Sequence, residues 1–234
     1  MQKKTIFYKK NFLIYGFGKS GFASYKFLHK KNSCKIIDDN RKNIPRKYKD
    51  KIINYIQLKK NNFDYIVLSP GIDQNNCRLS KYLKKNSSKI ITELDIFYLN
   101  YPYIKKITIT GTNGKSTTSK LLYDVLKEHG KDARLTGNIG NPTLLEKSIK
   151  KNTIFIIEAS SYQLEYSKFF KSSYSIILNI SPDHLERHRT FKNYVMAKFK
   201  LIQAQSKKNY AFIEKKNHLL NNLIKKNKVK SKIY

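Results

Sequence analysis

Two successive α/β units with parallel, doubly wound sheets and flanking helices are what this chain predicts, on three observations. Short apolar runs that read as strands alternate with segments of helical periodicity along the sequence. Two of these runs pass through glycine-rich turns into helices, at Gly16-Phe-Gly-Lys-Ser-Gly21 and at Gly111-Thr-Asn-Gly-Lys-Ser-Thr117. No internal repeat joins the halves, so each restarts the strand, turn and helix pattern by itself.

Residues 11–15 are apolar and read as a first strand, the glycines turn, residues 22–29 read as a helix, and residues 34–37 as a buried strand ending at Asp38. Glycines followed about 20 positions later by an acidic residue fit the Rossmann fingerprint, which by itself suggests NAD or FAD. Residues 64–72 run a strand into the turn Ser69-Pro70-Gly71, at the kind of strand end where open α/β sheets gather ligands. Residues 90–92 make another short strand, and 93–99 a helix with Leu94, Phe97 and Tyr98 on its buried side. The domain boundary is expected there, with a Rossmann-like domain over 1–92 and a phosphate-loop domain over 93–234.

From residue 104 the pattern restarts. A helix over 116–129 carries Leu121, Leu122, Val125 and Leu126 at helical spacing and closes at Gly130. Gly137-Asn-Ile-Gly-Asn-Pro142 is a glycine turn, and residues 153–157 form a strand ending on Glu158. Residues 175–179 form a strand leading to Ser181-Pro-Asp-His184, residues 191–205 a helix, and 209–213 one more strand. The Lys- and Asn-rich segment 215–234 reads as a polar helix or a loosely ordered end.

The chain's 234 residues suffice for two cores, and 40% hydrophobic content is that of a globular protein. A net charge of +32 raises the question of nucleic acid, but the lysines recur from Lys3 to Lys232 without clustering, and no reading motif accompanies them. No apolar run is long enough for a membrane span, and the Lys-rich residues 1–10 are not followed by a secretory apolar core, so the cytoplasm is expected. Cys34 and Cys77 lack the spacing of a zinc site and are expected as free thiols.

The loop after residue 110 has the makings of a phosphate cradle. Small residues let backbone N–H groups face an anion, the helix start adds its dipole, Lys115 supplies a mobile charge, and Ser116 can ligate Mg²⁺. It is a shortened variant of the phosphate-loop pattern, since Ile109 stands where a glycine is usual. Glu158 at a strand's carboxyl end is placed to hold a metal ion beside such a loop. Ser160-Ser-Tyr-Gln163 is polar enough to orient a substrate, and Asp183-His184 offers metal or acid/base chemistry. Lys198 lies among Val195, Met196, Ala197 and Phe199, company that favours a neutral amine.

Together, Gly111-Thr-Asn-Gly-Lys-Ser-Thr117, Gly137-Asn-Ile-Gly140, Glu158-Ala-Ser-Ser-Tyr-Gln-Leu-Glu165, Asn179 with Asp183-His184, and Lys198 closely resemble the Mur ligases in order and spacing, over residues 11–205. The Ser-Ser-Tyr-Gln-Leu run, Thr92-Glu-Leu-Asp-Ile-Phe97 and the turns at Gly16 and Ser69 resemble the D-glutamate-adding branch. The resemblance implies ATP-dependent amide bond formation between UDP-N-acetylmuramoyl-L-alanine and D-glutamate through an acyl phosphate. That is a step of peptidoglycan synthesis, and so of cell shape and division.

It also implies that Gly18, Lys19, Ser20, Asp38, Ser69, Pro70 and Gly71 hold the uridine nucleotide end, and that Gly111, Thr112, Asn113, Gly114, Lys115, Ser116 and Thr117 bind ATP. Mg²⁺ would lie near Ser116, Glu158 and His184. Asn138, Ser160, Gln163 and His184 would contact the muramoyl part. Lys198 would carry a carbamate that helps fix the metals, and Lys115, His184 and Lys198 would act in catalysis. Family members tend to place an arginine just after the first acidic residue, where this chain has Asp39-Asn40. They are also about twice as long, with a third, carboxyl-terminal domain that binds the incoming amino acid. The central domain is therefore expected to be incomplete at its end, and the chain to be an amino-terminal part or half of a split enzyme served by a separate polypeptide. A non-catalytic nucleotide-binding module is the alternative.

Overall fold

The computed structural model describes residues 6–40 and 44–234, so the first five residues of the Lys-rich start lie outside the described part. Two compact units emerge, one from Met1–Asn100 with Tyr166–Lys168, the other from Tyr101–Glu165 with Phe169–Tyr234. The division falls after Asn100, eight residues beyond the expected boundary.

The first unit is built from β1 (Asn11–Tyr15), α1 (Lys19–Leu28), β2 (Ser33–Ile37), α2 (Tyr55–Lys60), β3 (Tyr65–Leu68), α3 (Ser80–Lys85), β4 (Ile90–Ile91) and α4 (Glu93–Asn100). Its strands form one sheet in the order β2-β1-β3-β4, with every pair parallel. The strands are nearly continuous apolar runs because both faces of a parallel sheet are covered; Phe12, Leu13, Ile14 and Tyr15 are all at 0% exposure. Leu94, Ile96 and Phe97 of α4 are buried while Tyr98 is only half-buried, and α4 packs on α1. That packing explains why α4 belongs to the first unit.

Asp95, fully buried, ties the short segment Tyr166–Lys168 into the same unit. It accepts from Thr92 N (2.9 Å), Ser167 Oγ (2.8 Å) and Lys168 N (3.0 Å). Thr92 Oγ1 in turn accepts from Asp95 N (3.2 Å), so the pair closes the first turn of α4 as a reciprocal cap.

Two glycines make the first turn possible. Gly16 has φ +87°, and a Cβ on Gly21 would stand 1.9 Å from the Gly16 carbonyl oxygen. Nothing lies within 4 Å of the equivalent point on Gly18.

The second unit comprises β5 (Lys105–Thr110), α5 (Lys115–Glu128), β6 (Ala133–Gly137), β7 (Ile154–Glu158), α6 (Ser161–Glu165), β8 (Tyr174–Ile177), α7 (Leu185–His188), α8 (Phe191–Gln203), β9 (Tyr210–Ile213), α9 (His218–Lys226) and β10 (Lys232–Ile233). Its sheet runs β10-β9-β8-β5-β7-β6, again with every pair parallel. Leu122 and Leu126 of α5 pack with Ile109, Ile156 and Ile176, whereas Phe199 and Ile202 of α8 and Leu220 of α9 pack with Ile177. Neighbouring residues of a strand face opposite sides, so α5 and the α8–α9 pair cover opposite faces.

Two expectations change. Leu121 and Val125 of α5 are 63% and 41% exposed, so the buried stripe is narrower than the spacing suggests. A strand precedes the glycine turn at Gly137. Of the two readings of segment 215–234 the helix holds, as α9 capped by Asn217, and it is followed by β10, which pairs with β9.

Gly21→Ala is expected to lower stability by at least about 2 kcal/mol through the clash with Gly16, and Gly18→Ala by less than about 1 kcal/mol. Urea unfolding followed by circular dichroism measures both.

Candidate functional site

In the second unit, β8, β5, β7 and β6 lie side by side and parallel, so the segments leaving their carboxyl ends share one edge of the sheet. Ile109 pairs with Glu158, and Glu158 with Gly137, which brings the post-β5 loop, the β7 carboxylate and the post-β6 turn together. Glycine is required where the backbones approach most closely. A Cβ on Gly137 would meet the Glu158 carbonyl oxygen at 2.2 Å, and one on Gly111 (φ +155°) would meet Leu178 Cβ at 3.1 Å.

Gly114 takes the left-handed conformation (φ +81°) and caps α5. The amides of Gly114, Lys115, Ser116 and Thr117 are those that a helix start leaves without intrahelical acceptors, which makes them anion donors. Lys115 Nζ folds back over the loop to the carbonyls of Gly111 (2.9 Å) and Thr112 (2.7 Å). Thr112, expected among the phosphate contacts, is engaged with the scaffold. Its N–H donates to Asn179 O (3.0 Å), and its hydroxyl is shared with Ser181 and with the Tyr194 hydroxyl at 3.0 Å. The Asn113 N–H is also taken, by Asn179 Oδ1 at 2.8 Å.

Glu158 is buried. Its Oε1 accepts from Asn138 Nδ2 (2.8 Å), while Oε2 is buried without a hydrogen-bond partner. An unpaired buried carboxylate oxygen is costly, and a cation is the partner that relieves it. Lys198, 2% exposed, donates to Gly111 O (2.8 Å), and its ammonium lies 4.6 Å from the centre of the Tyr194 ring. Burial, reinforced by the Lys115 charge and opposed by Asp183, brings its pKa down to about 7. Lys106 is a useful contrast. Burial lowers it to about 8, yet it sits at the start of β5 and donates to Tyr101 O and Ile104 O, far along the strand from the loop. A depressed lysine alone does not mark a site.

Ser160 and Gln163 have a structural task. Ser160 N–H and hydroxyl both donate to Gln163 Oε1 (3.0 and 3.2 Å), and Gln163 N–H donates to Ser160 Oγ (3.3 Å). This is a reciprocal cap on α6, readable from the Ser-x-x-Gln spacing. His184, in the left-handed region (φ +52°), has Nε2 3.3 Å from Asp183 and Nδ1 3.6 Å from Glu186, with the Tyr162 ring 5.0 Å away.

Two residues escaped sequence reading. His188 is buried, its Nε2 2.9 Å from Ser161 Oγ and its ring between Tyr162 and Tyr194; burial lowers its pKa. Tyr194 joins α8 to the loop through Thr112. The spacing of His188 from His184, and of Tyr194 from Lys198, by four positions each on helical segments was the available signal.

In the first unit, Asp38 accepts from Phe17 N (2.5 Å) and Asn40 N (2.7 Å), and Ser69 Oγ donates to Gly16 O (2.7 Å). Both therefore brace the glycine turn. Gly18, Lys19 and Gly71 are exposed, with Ser20 and Pro70 half-buried beside them. A cavity of about 300 Å³ opens at the end of β2, lined by Asp38, Asp39, Asn40, Tyr55 and Arg78 among others. The Asp39 carboxylate is held by the hydroxyls of Tyr15 (2.8 Å) and Tyr55 (2.9 Å).

Comparison with known proteins finds relatives over nearly the whole chain. The Mur ligase middle domain matches residues 109–234. UDP-N-acetylmuramoylalanine–D-glutamate ligases of Rickettsia bellii, Caldicellulosiruptor bescii and Elusimicrobium minutum are each 36% identical, over 97%, 92% and 100% of this chain. The aligned region is 51%, 49% and 54% of those proteins, so the chain spans about half the length of the curated relatives it matches. Among solved structures, the UDP-N-acetylmuramate:L-alanyl-gamma-D-glutamyl-meso-diaminopimelate ligase of Neisseria meningitidis is similar with a TM-score of 0.61 at 14% identity, over 96% of this chain and 77% of that one. A murein peptide ligase of Psychrobacter arcticus gives 0.56 at 15%, over 96% and 53%. At these identities the likeness is one of fold.

The low pKa of Lys198 sets a pH dependence. The unfolded chain holds this proton up to about pH 10.4 and the folded chain only to about 7, so stability rises as pH goes from about 7 to about 10. In CO₂-free buffer, Lys198→Met is expected to flatten that rise relative to the parent, leaving the part due to Lys106. Thermal unfolding across this range checks it.

Proposed function

This chain belongs to the Mur ligase family, and from that premise we propose that it carries the UDP-substrate and ATP sites of a ligase that joins D-glutamate to UDP-N-acetylmuramoyl-L-alanine through an acyl phosphate. The observation that carries this reading is the meeting of a phosphate loop, a buried carboxylate with an unpaired oxygen and a buried, readily neutral lysine at one sheet edge. The named activity of the relatives supplies the substrates.

In this reading the amides of Gly114 to Thr117 cradle the ATP phosphates, with Gly111 keeping the loop close to the sheet. Lys115 swings from the Gly111 and Thr112 carbonyls to the transferring phosphoryl group, where its charge offsets that building up in phosphoryl transfer and again in amine attack. The donors suit Mg²⁺, since Glu158 Oε2 lacks a partner and Ser116 is exposed at the helix start. Mg²⁺ would supply Lewis-acid stabilisation of the phosphate oxygens. Lys198, with its pKa brought down to about 7, would add through its amine to CO₂ and lose a proton, and the resulting carbamate would help Glu158 and His184 hold the metal. Asn138, Ser160, Gln163 and His184 orient the muramoyl-alanine carboxylate for attack on the γ-phosphate.

At the first site, Gly18, Lys19, Ser20, Pro70 and Gly71 face the uridine nucleotide, while Asp38 and Ser69 shape the turn. Arg78 supplies the cation missing after Asp38. The NAD or FAD reading of the glycine turn gives way to the uridine nucleotide in the names of the relatives.

Titration calorimetry with Mg·ATP tests the phosphate site. Lys115→Ala is expected to weaken binding about 10- to 100-fold with the fold intact, as loss of a charge-assisted contact does. Phosphate release from ATP is expected to require both UDP-N-acetylmuramoyl-L-alanine and D-glutamate. Binding that ignores Lys115, or release indifferent to both substrates, contradicts the assignment.

A further inference from the structure

Asn179, half-buried just beyond the end of β8, makes a pairing that the phosphate chemistry does not require of it. Along β5 and β8 the backbone ladder continues past the strands, with Leu178 N donating to Thr110 O (3.0 Å) and Thr112 N to Asn179 O (3.0 Å). There the backbone ladder stops and the Asn179 side chain carries it one peptide further. Its Oδ1 accepts from Asn113 N at 2.8 Å and its Nδ2 donates to Asn113 O at 3.1 Å. A primary amide carries the donor and acceptor pair of a peptide group, so Asn is a side chain able to imitate a strand here.

We infer that Asn179 is a positioning residue for the phosphate loop, fixing the Asn113 peptide so that the chain enters Gly114 in the left-handed conformation and presents the next four amides to the anion. Gly114 at φ +81° immediately follows the clamped peptide, and α5 begins at the next residue. With the Thr112 and Asn113 amides already engaged, the cradle begins at Gly114, and its aim is set by where Asn113 is held. Asn179 acts through Asn113 and does not itself touch phosphate. The inference rests on reading this loop as a phosphate cradle.

Two readouts on the full chain test it. One is hydrogen exchange of the Asn113 amide by NMR, and the other is affinity for inorganic tripolyphosphate with Mg²⁺. In Asn179→Ala the Asn113 amide is expected to exchange at least tenfold faster and tripolyphosphate to bind at least tenfold more weakly. Asn179→Asp keeps an acceptor for the Asn113 N–H, so its exchange is expected to stay near that of the parent; this variant serves if the alanine form fails to fold. Lys115→Ala should weaken tripolyphosphate without changing Asn113 exchange. If Lys115→Ala weakens binding while Asn179→Ala, folded, binds within twofold of the parent, the positioning role is overturned. Equal acceleration of exchange in the alanine and aspartate variants overturns it as well. If neither the parent nor Lys115→Ala binds tripolyphosphate, or both bind alike, the cradle reading fails and the inference with it.

Discussion

The parallel alignment of β8, β5, β7 and β6 is the constraint on which the second unit's chemistry depends. Because these strands share one direction, the loops that follow them leave from one edge, and residues distant in sequence arrive together. The register is equally binding. Glu158 pairs with Ile109 on one side and Gly137 on the other, and a one-residue slip of β7 would turn its carboxylate to the opposite face. Gly137 permits the close approach that this register needs, since a side chain there would strike the Glu158 carbonyl of β7, and one at Gly111 would crowd Leu178 just past β8.

That edge holds a buried carboxylate oxygen that the protein leaves unpaired. Glu158 leaves one oxygen without a partner, and Lys198 is held without a carboxylate bonded to it. Two buried charges away from that edge are met by the protein itself: Asp95 gathers several N–H and O–H donors, and Lys106 donates to backbone carbonyls. Desolvation is tolerated where partners are built in, and Glu158 Oε2 has none built in.

Much of this was legible because the signals are local. The strand, turn and helix pattern, the loop from Gly111 to Thr117, and Glu158 at a strand end can be read from adjacent residues. What was missed depends on context. β6, Ala-Arg-Leu-Thr-Gly, is a sheet-edge strand with too few apolar residues to announce itself, and the segment after residue 215 looked polar although Leu220 is fully buried. Several residues expected to touch ligands also hold the backbone: Asp38 and Ser69 at the first glycine turn, Ser160 with Gln163 at the start of α6, and Thr112 in the loop. Capping and turn-bracing use the same short polar side chains as ligand binding, so type and position alone do not separate the two.

The central claim is that this sheet edge is a metal-assisted phosphate site organised by Glu158. The most direct measurement is the paramagnetic broadening of ATP ³¹P resonances by Mn²⁺ bound to the chain, compared between the parent and Glu158→Gln. The account predicts specific broadening in the parent that is lost in the folded Glu158→Gln variant, which keeps the side chain's size but removes its charge. Equal broadening in both, or ATP binding in the parent that brings no Mn²⁺ near the phosphates, would contradict it.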